Sequence, residues 1–251
     1  MSENKRRVIA AVMMLIWLTA GYIFASEPKT FESADTQSSL IELFTSEGCS
    51  SCPPAEKWMS ALKSNQELWK RIIPVAFHVD YWDHLGWRDR FAKPEFTSRQ
   101  QRYAAVWGGD SVYTPGFVVN GKEWRNLFGG NAVPTISTRV GVLRVSLGDG
   151  GKLTATFVPE TTQPRALALN VALLGNDLES DVKRGENSGR KLRHDFVVLD
   201  LIRIDMTNES NRWTGSVALP MQSSADKPSA IAAWITEDRT PIQATGGWLQ
   251  R

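Results

Sequence analysis

Both cysteines of this 251-residue chain lie in one short segment, TSEGCSSCPPAE, which covers residues 45–56. The apolar run SLIELFT, at residues 39–45, comes directly before the cysteines and is typical of a buried strand. The run that follows has apolar residues at helical spacing from Ala55 to Leu62, with proline in its first turn. The sequence therefore predicts a Cys-x-x-Cys pair at a strand-to-helix junction, and the rest of the fold has to accommodate that junction.

Strand-like and helix-like segments alternate after the cysteines. RIIPVAFHVD at residues 71–80 is a second buried-strand run, and KPEFTSRQQRYAAVW at residues 93–107 predicts a second helix. GFVVNGKEW at residues 116–124 carries Asn-Gly between strand-like residues, the strongest short signal of a hairpin. Strand–helix–strand connections imply parallel, right-handed crossovers. The order βαβαββ predicts an α/β thioredoxin-like core over residues 39–140, with AVPTISTRVGVL open between a further helix and a linker.

The second half of the chain has a different pattern. Short runs that alternate or are continuously apolar follow one another, separated by Gly, Asn, Asp and Pro. This pattern predicts an all-β antiparallel, sandwich-like domain over residues 141–251. The polar segment 175–195 is interpreted as an exposed excursion between two strands, because so many charges are difficult to bury. Two roles are open for this domain, stabilisation of the first domain or docking of a protein partner.

Residues 1–25 have the character of an export segment. Basic residues precede a stretch without charge at residues 8–25. The stretch is long enough to span a bilayer, so a cleaved signal peptide and an inner-membrane anchor are both open. Residues 26–38 are polar and aperiodic and are interpreted as a linker. We expect the folded part to be exported, periplasmic or secreted, in an oxidising compartment.

The composition is that of a folded protein, and the net charge limits the classes of partner to be expected. Apolar residues make up 42% and charged residues 22% of the chain, as in ordinary globular proteins. The net charge of +2 gives no indication of nucleic-acid binding. The expected partners are therefore protein thiols or disulfides in the periplasm, and no cofactor is predicted.

The position of the cysteines predicts redox chemistry. A helix N-terminus stabilises a thiolate, so we expect the pKa of Cys49 to be lowered and Cys49 to attack disulfides. Cys52 lies close enough in sequence to resolve a mixed disulfide. Pro115, in VYTPGFVVNG, precedes the predicted hairpin strand, and a cis Thr114-Pro115 bond would turn backbone towards a neighbouring loop.

HVDYWDHLGW, at residues 78–87, is expected at the same edge of the sheet as the cysteine loop, where ligands of such sheets gather. His78 lies inside the strand and is interpreted as a hydrogen-bonded core histidine. The remaining polar side chains can transfer protons and the aromatic ones can form an apolar wall, although large rings also serve in cores. The predicted substrate-binding or supporting residues are Thr114, Asp80, Tyr81, Trp82, Asp83 and His84.

Three functions for the cysteine pair stay open. The first is thiol–disulfide oxidoreduction. The second is Cu(I) or other soft-metal binding by Cys49, Cys52 and a histidine, His84 or His78, since soft thiolates suit Cu(I). The third is a non-catalytic binding module. A purely structural disulfide is less favoured, because so short a loop gains little chain entropy.

Five motifs carry a resemblance to a known family: ELFTSEGCSSCPPAE, FHVDYWDHLGWRDRF, PEFTSRQQRYA, VYTPGFVVNG and GENSGR. Together they resemble the secreted bacterial proteins of domain of unknown function 1223, from about Leu40 to the C-terminus. The resemblance implies a thioredoxin-like fold and export. By similarity to the thioredoxin superfamily, Cys49 would be the nucleophile, Cys52 the resolving thiol and Pro115 the cis-proline.

Overall fold

The computed structural model describes residues 27–125, 133–160, 166–221 and 226–249. The predicted signal or anchor, residues 1–25, lies outside the described residues. No helix within the described ranges combines the length and apolarity needed to cross a membrane.

The described part of the chain consists mostly of sheet, with two α-helices. The helices are α1 (Pro53–Ala61) and α2 (Pro94–Val106). The strands are β1 (Lys29–Glu32), β2 (Ser39–Thr45), β3 (Ile72–His78), β4 (Gly116–Val119), β5 (Lys122–Glu123), β6 (Gly141–Leu147), β7 (Lys152–Pro159), β8 (Leu167–Gly175), β9 (Leu178–Asp181), β10 (Lys191–His194), β11 (Val197–Asp205), β12 (Thr207–Glu209), β13 (Arg212–Ala218), β14 (Ala230–Glu237) and β15 (Thr240–Trp248).

Eight strands form one mixed sheet in the order β15-β14-β8-β11-β3-β2-β4-β5. β3 is parallel to both β2 and β11, and the other neighbours are antiparallel. β2 and β3 are buried along their whole length, which explains their continuous apolar runs. The predicted boundary at residue 140 runs through this sheet, because β11 pairs with β3 at Val197 and Ala76.

The helices near the cysteines cover opposite faces of this sheet. On one face, Ala55 and Met59 of α1 pack in the same core cluster as Leu43 of β2. On the other face, Phe96 of α2 packs with Phe77 of β3, their ring centroids 5.1 Å apart. Burial of a large apolar side chain such as Met59 or Phe96 stabilises the fold by about 1.5–3 kcal/mol. Both helices, the strands and the hairpin at residues 116–124 confirm the elements that the sequence predicts there.

A second, antiparallel sheet has the order β1-β6-β7-β13-β12. Its residues Leu143 and Phe157 pack against Leu169 and Ile231 of the eight-stranded sheet in one core cluster. The expected antiparallel β structure in the second half of the chain is therefore present. The segment interpreted as a linker instead contains β1, which pairs with β6. Only one of the four residues of β1 is buried, so its pattern is too short to recognise in the sequence.

Two further segments differ from their expected structure. Residues 133–140, open between helix and linker, contain no helix. The polar segment 175–195 contains the antiparallel pair β9–β10, and several of its side chains are buried, Asn187 and His194 among them. Apart from Asp195, the Asp, Glu, Lys and Arg side chains of the segment are exposed, as the sequence predicts. In β10 these exposed charges alternate with buried residues, which charge density alone does not reveal. Residues 182–190, between β9 and β10, are called the capping loop below.

Candidate functional site

The cysteine pair lies between β2 and α1, as the sequence predicts. Cys49 and Cys52 form a disulfide with their Cα atoms 5.5 Å apart. The backbone N–H of Cys49 donates to the Ser46 carbonyl, and that of Cys52 donates to the Cys49 carbonyl. These turns place Cys52 at the N-cap of α1, directly before Pro53. The pair therefore lies at the positive end of the helix dipole.

The segment around Pro115 contacts the cysteine loop. The Thr114-Pro115 bond is cis, and the Thr114 carbonyl oxygen lies 3.7 Å from Cys49 Sγ. Trp82 Nε1 donates to Thr114 Oγ1 at 2.8 Å. A Cβ at Gly48 would lie 2.9 Å from Trp82 Cβ, so glycine is what allows Trp82 to pack against the loop. The structure thus brings Thr114, Pro115 and Trp82 to the cysteine pair.

The other supporting residues have separate partners. The Tyr81 hydroxyl donates to Gln100, and burial raises the pKa of Tyr81 to about 12. Asp80 accepts a hydrogen bond from the Thr97 hydroxyl. Asp83 accepts the N–H of Asp89, and the exposed His84 donates from Nδ1 to the Tyr81 carbonyl. A role for Asp80, Asp83 or His84 in proton transfer stays a prediction.

The capping loop lies over the cysteine loop. Asn187 Nδ2 donates to the carbonyls of Glu47 and Cys49, both at 2.9 Å, and Asn187 is fully buried. Glu186 Oε2 accepts the N–H of Ser50 at 2.9 Å, and this hydrogen bond lowers the pKa of Glu186. Both cysteines are fully buried, although Ser50 is exposed. The sequence reasoning missed Glu186 and Asn187, whose only signal was the motif GENSGR.

Beside the cysteine loop lies a buried charge cluster of Glu47, Glu56, His78, Asp89 and His194. His78 Nδ1 lies 2.7 Å from Asp89 Oδ2. His194 Nδ1 lies 2.6 Å from Glu56 Oε2, and its Nε2 lies 3.4 Å from Glu47 Oε1. Asp89 Oδ2 also accepts the N–H of Glu47. The cluster joins β3, the cysteine loop, α1 and β10, so it fastens the two halves of the chain together.

Opposing effects set the protonation of this cluster. Burial alone would raise the pKa of Glu56, but the charge and hydrogen bond of His194 outweigh it, so the pKa is lowered. The pKa of Glu47 is lowered in the same way, against burial, by His194 and by the Trp87 indole. His78 likewise lowers the pKa of Asp89 against burial. Burial would lower the pKa of His194, but Glu56 and Glu47 raise it to about 10.

The structure places metal-ligating side chains differently from the predicted soft-metal site. Both sulfurs are joined in the disulfide, and His84 binds the Tyr81 carbonyl. Among the described residues, the group of three metal-ligating side chains that lies close together is Glu56, His78 and His194. His78 is the buried, hydrogen-bonded histidine that the sequence predicts. The sequence reasoning missed Glu56 and His194, which are far apart along the chain.

Comparisons with known proteins give a family and a fold. A family model described as "Protein of unknown function (DUF1223)" matches residues 40–236. The crystal structure of a protein from Agrobacterium tumefaciens is similar, with a TM-score of 0.61, 22% identity, and coverage of 86% of this chain and 94% of that chain. HBP35 of Porphyromonas gingivalis has a TM-score of 0.60 and 16% identity, with coverage of 87% and 77%. A search of curated proteins found no match.

Proposed function

The chain belongs to the DUF1223 family, and we propose that it is an exported thiol–disulfide oxidoreductase-like protein that acts through Cys49 and Cys52. One observation carries the proposal. The two cysteines form a disulfide at the N-terminus of α1, with the Thr114 carbonyl 3.7 Å from Cys49 Sγ. A helix N-terminus stabilises the thiolate that forms when such a disulfide is reduced.

The exchange proceeds in two balanced steps. A thiolate of a protein substrate attacks Cys49 Sγ, a mixed disulfide forms, and Cys52 leaves as a thiolate. A second thiolate of the same substrate then attacks the substrate sulfur of the mixed disulfide, and Cys49 is released as a thiolate. The substrate becomes a disulfide and the Cys49–Cys52 pair is reduced. The reverse sequence reduces a substrate disulfide when the pair begins as thiols.

The arrangement around β2 supports a thioredoxin-like core. β2 lies between the parallel β3 and the antiparallel β4, which continues into the β4–β5 hairpin. α1 and α2 cover opposite faces, and the cis Thr114-Pro115 bond precedes β4. Together with the cysteine pair at the start of α1, this is the set of features expected of the βαβαββ core over residues 39–140.

Access to the disulfide requires a movement. An attacking thiolate has to reach Cys49 Sγ, but both cysteines are fully buried and the capping loop is hydrogen-bonded to the backbone on either side of Cys49. We infer that the capping loop opens when a protein substrate binds. The capping loop then determines which partner proteins reach Cys49. This selection is how this part of the chain takes part in docking a partner.

The compartment and partners belong to the same proposal. Disulfides persist in oxidising compartments outside the inner membrane. Residues 1–25 act as a signal peptide or as an inner-membrane anchor through residues 8–25, and the folded part acts on protein thiols or disulfides in the periplasm. A Cys52→Ser variant that keeps the native residues 1–25 tests both the compartment and the partners. The exported fraction of the cells is separated and searched for this protein and its adducts.

The decisive experiment traps the mixed disulfide. Cys52→Ser is expected to form reductant-sensitive adducts with exported proteins through Cys49, whereas the matched variant Cys49→Ser forms none. In the reduced protein, Cys49 is expected to alkylate well below pH ~8.5, the pKa of an unperturbed thiol. Absence of adducts together with titration of Cys49 near ~8.5 would refute the proposed function.

A further inference from the structure

Three buried side chains of the charge cluster converge from different parts of the chain. Glu56 comes from α1, His78 ends β3 and His194 ends β10. Each offers a ligand atom within 4.8 Å of those of the other two. The side chains of both histidines are 1% exposed and that of Glu56 is 8% exposed. The three residues are far apart in the sequence, and they come together only in the folded chain.

Several atoms in the cluster lack a hydrogen-bond partner. His78 Nε2, His194 Nε2 and Glu47 Oε1 are buried and make no hydrogen bond, although His194 Nε2 and Glu47 Oε1 lie 3.4 Å apart as an ion pair. An unsatisfied buried polar group costs about 1–3 kcal/mol. Asp89 holds His78 Nδ1, so in the neutral imidazole the proton lies on Nδ1 and Nε2 has the free lone pair. A carboxylate that holds one imidazole nitrogen while the other faces a ligand is the usual outer support of a metal-binding histidine.

The charges of the cluster are also unbalanced. It contains three carboxylates, Glu47, Glu56 and Asp89, and two imidazoles. Even with both imidazoles protonated, one negative charge is left over among these five side chains. A buried charge is costly unless it is paired or coordinates a metal. With His78 neutral, so that its Nε2 can bind a ligand, and His194 protonated, the net charge of the five side chains is −2. A divalent cation that replaces the His194 proton brings this charge to −1 and gives His78 Nε2 a partner.

We propose that Glu56, His78 and His194 bind one divalent transition-metal ion. Two imidazoles and one carboxylate are ligands that suit Zn²⁺ and similar ions, and three protein ligands leave a coordination position free. A metal binds neutral imidazole, so the ion replaces the proton between His194 and Glu56. This site is separate from a thiolate site, because it needs neither cysteine.

A cavity supplies a route for the ion. It has a volume of about 540 Å³, lies between α1 and the β9–β10 hairpin, and includes Glu56, Arg190, Leu192 and Asp195 in its wall. Of the three ligands, Glu56 lines this cavity and also contacts His194, so an ion would enter the group past Glu56. A bound ion would fasten α1 to β10, and therefore hold the base of the capping loop over the cysteines.

The test is a Zn²⁺ titration by calorimetry of the full chain, without a histidine tag, after removal of metals with a chelator. The cysteines are kept oxidised, so that thiolates cannot bind. We expect one Zn²⁺ per chain for the wild type and for the control His84→Gln, which changes the one histidine outside the cluster. His78→Gln and His194→Gln should lose the binding, and Asp89→Asn should weaken it about 10–100-fold through the loss of outer support.

Two outcomes would overturn the proposal. One is a wild-type protein that binds no Zn²⁺, a result that does not depend on whether any variant folds. The other is a His78→Gln variant, shown by circular dichroism to be folded, that binds Zn²⁺ as tightly as the wild type does. Neither measurement involves thiol exchange, so failure here and failure of the proposed redox function are distinguishable.

Discussion

Replacement of Asn187 by alanine should expose the disulfide to reductants. The Asn187 side chain donates two buried hydrogen bonds to the backbone of the cysteine loop, one to Glu47 and one to Cys49. These bonds hold the capping loop closed. In Asn187→Ala both hydrogen bonds are lost, so the carbonyls of Glu47 and Cys49 have no Asn187 donor when the loop is closed.

The size of the effect follows from these two bonds. A hydrogen bond of this kind contributes about 1 kcal/mol net, so the free energy of opening the loop should fall by about 2 kcal/mol. At about 1.4 kcal/mol for each factor of ten, the open fraction should rise about 30-fold. When opening is fast relative to attack, the rate of disulfide reduction rises by the same factor.

The assay is the rate of reduction of the Cys49–Cys52 disulfide by a small dithiol under native conditions. Asn208→Ala is the matched control, because Asn208 lies on an exposed strand of the other sheet. The free energy of unfolding by urea is measured for each variant, to separate local opening from global unfolding. An unchanged reduction rate in Asn187→Ala would show that the capping loop does not control access to Cys49.

Two further predictions concern buried charges. In chelator-treated protein, the raised pKa of His194, about 10 against 6.5 unfolded, means that its stabilisation is complete below pH 6.5 and is lost as pH rises towards 10. Urea unfolding should show this loss in the wild type, and an equal loss in His194→Gln would contradict it. Tyr103→Phe removes the hydroxyl that donates to buried Glu42 and should cost about 1–3 kcal/mol in thermal or urea unfolding. Tyr113→Phe, at an exposed tyrosine, should stay within about 0.5 kcal/mol, and equal effects would refute the reasoning.

The elements around the cysteines could be predicted because their local patterns agree with their environment. β2 and β3 are buried on both faces and are mostly apolar, and each helix begins with proline. The turn between β4 and β5 places Asn120 and Gly121 at positive φ, the conformation that this pair of residues favours in a two-residue hairpin. Interactions between residues close together in the sequence determine each of these features, so the local sequence is sufficient to predict them.

The rest of the site depends on long-range contacts. Glu56 and His194 meet only because β10 packs beside α1, and nothing in the local sequence of either residue indicates the other. The segment around Asn187 is polar, but its side chain is buried because it binds the backbone of a loop about 140 residues away. A pattern of charge along the chain cannot distinguish such a segment from solvated surface.

The capping loop also sets an order of events during synthesis. Cys52 leaves the ribosome about 140 residues before His194, and at about 5–20 residues per second the delay is about 7–28 s. During that interval Asn187 is not yet present to cover the cysteines, and Glu56 does not yet have His194 as its partner. The nascent chain therefore passes through a stage in which neither thiol is covered by the capping loop, and completion of the chain ends that stage. A disulfide formed during that stage would form without the capping loop above it, whereas the disulfide of the finished protein lies beneath that loop.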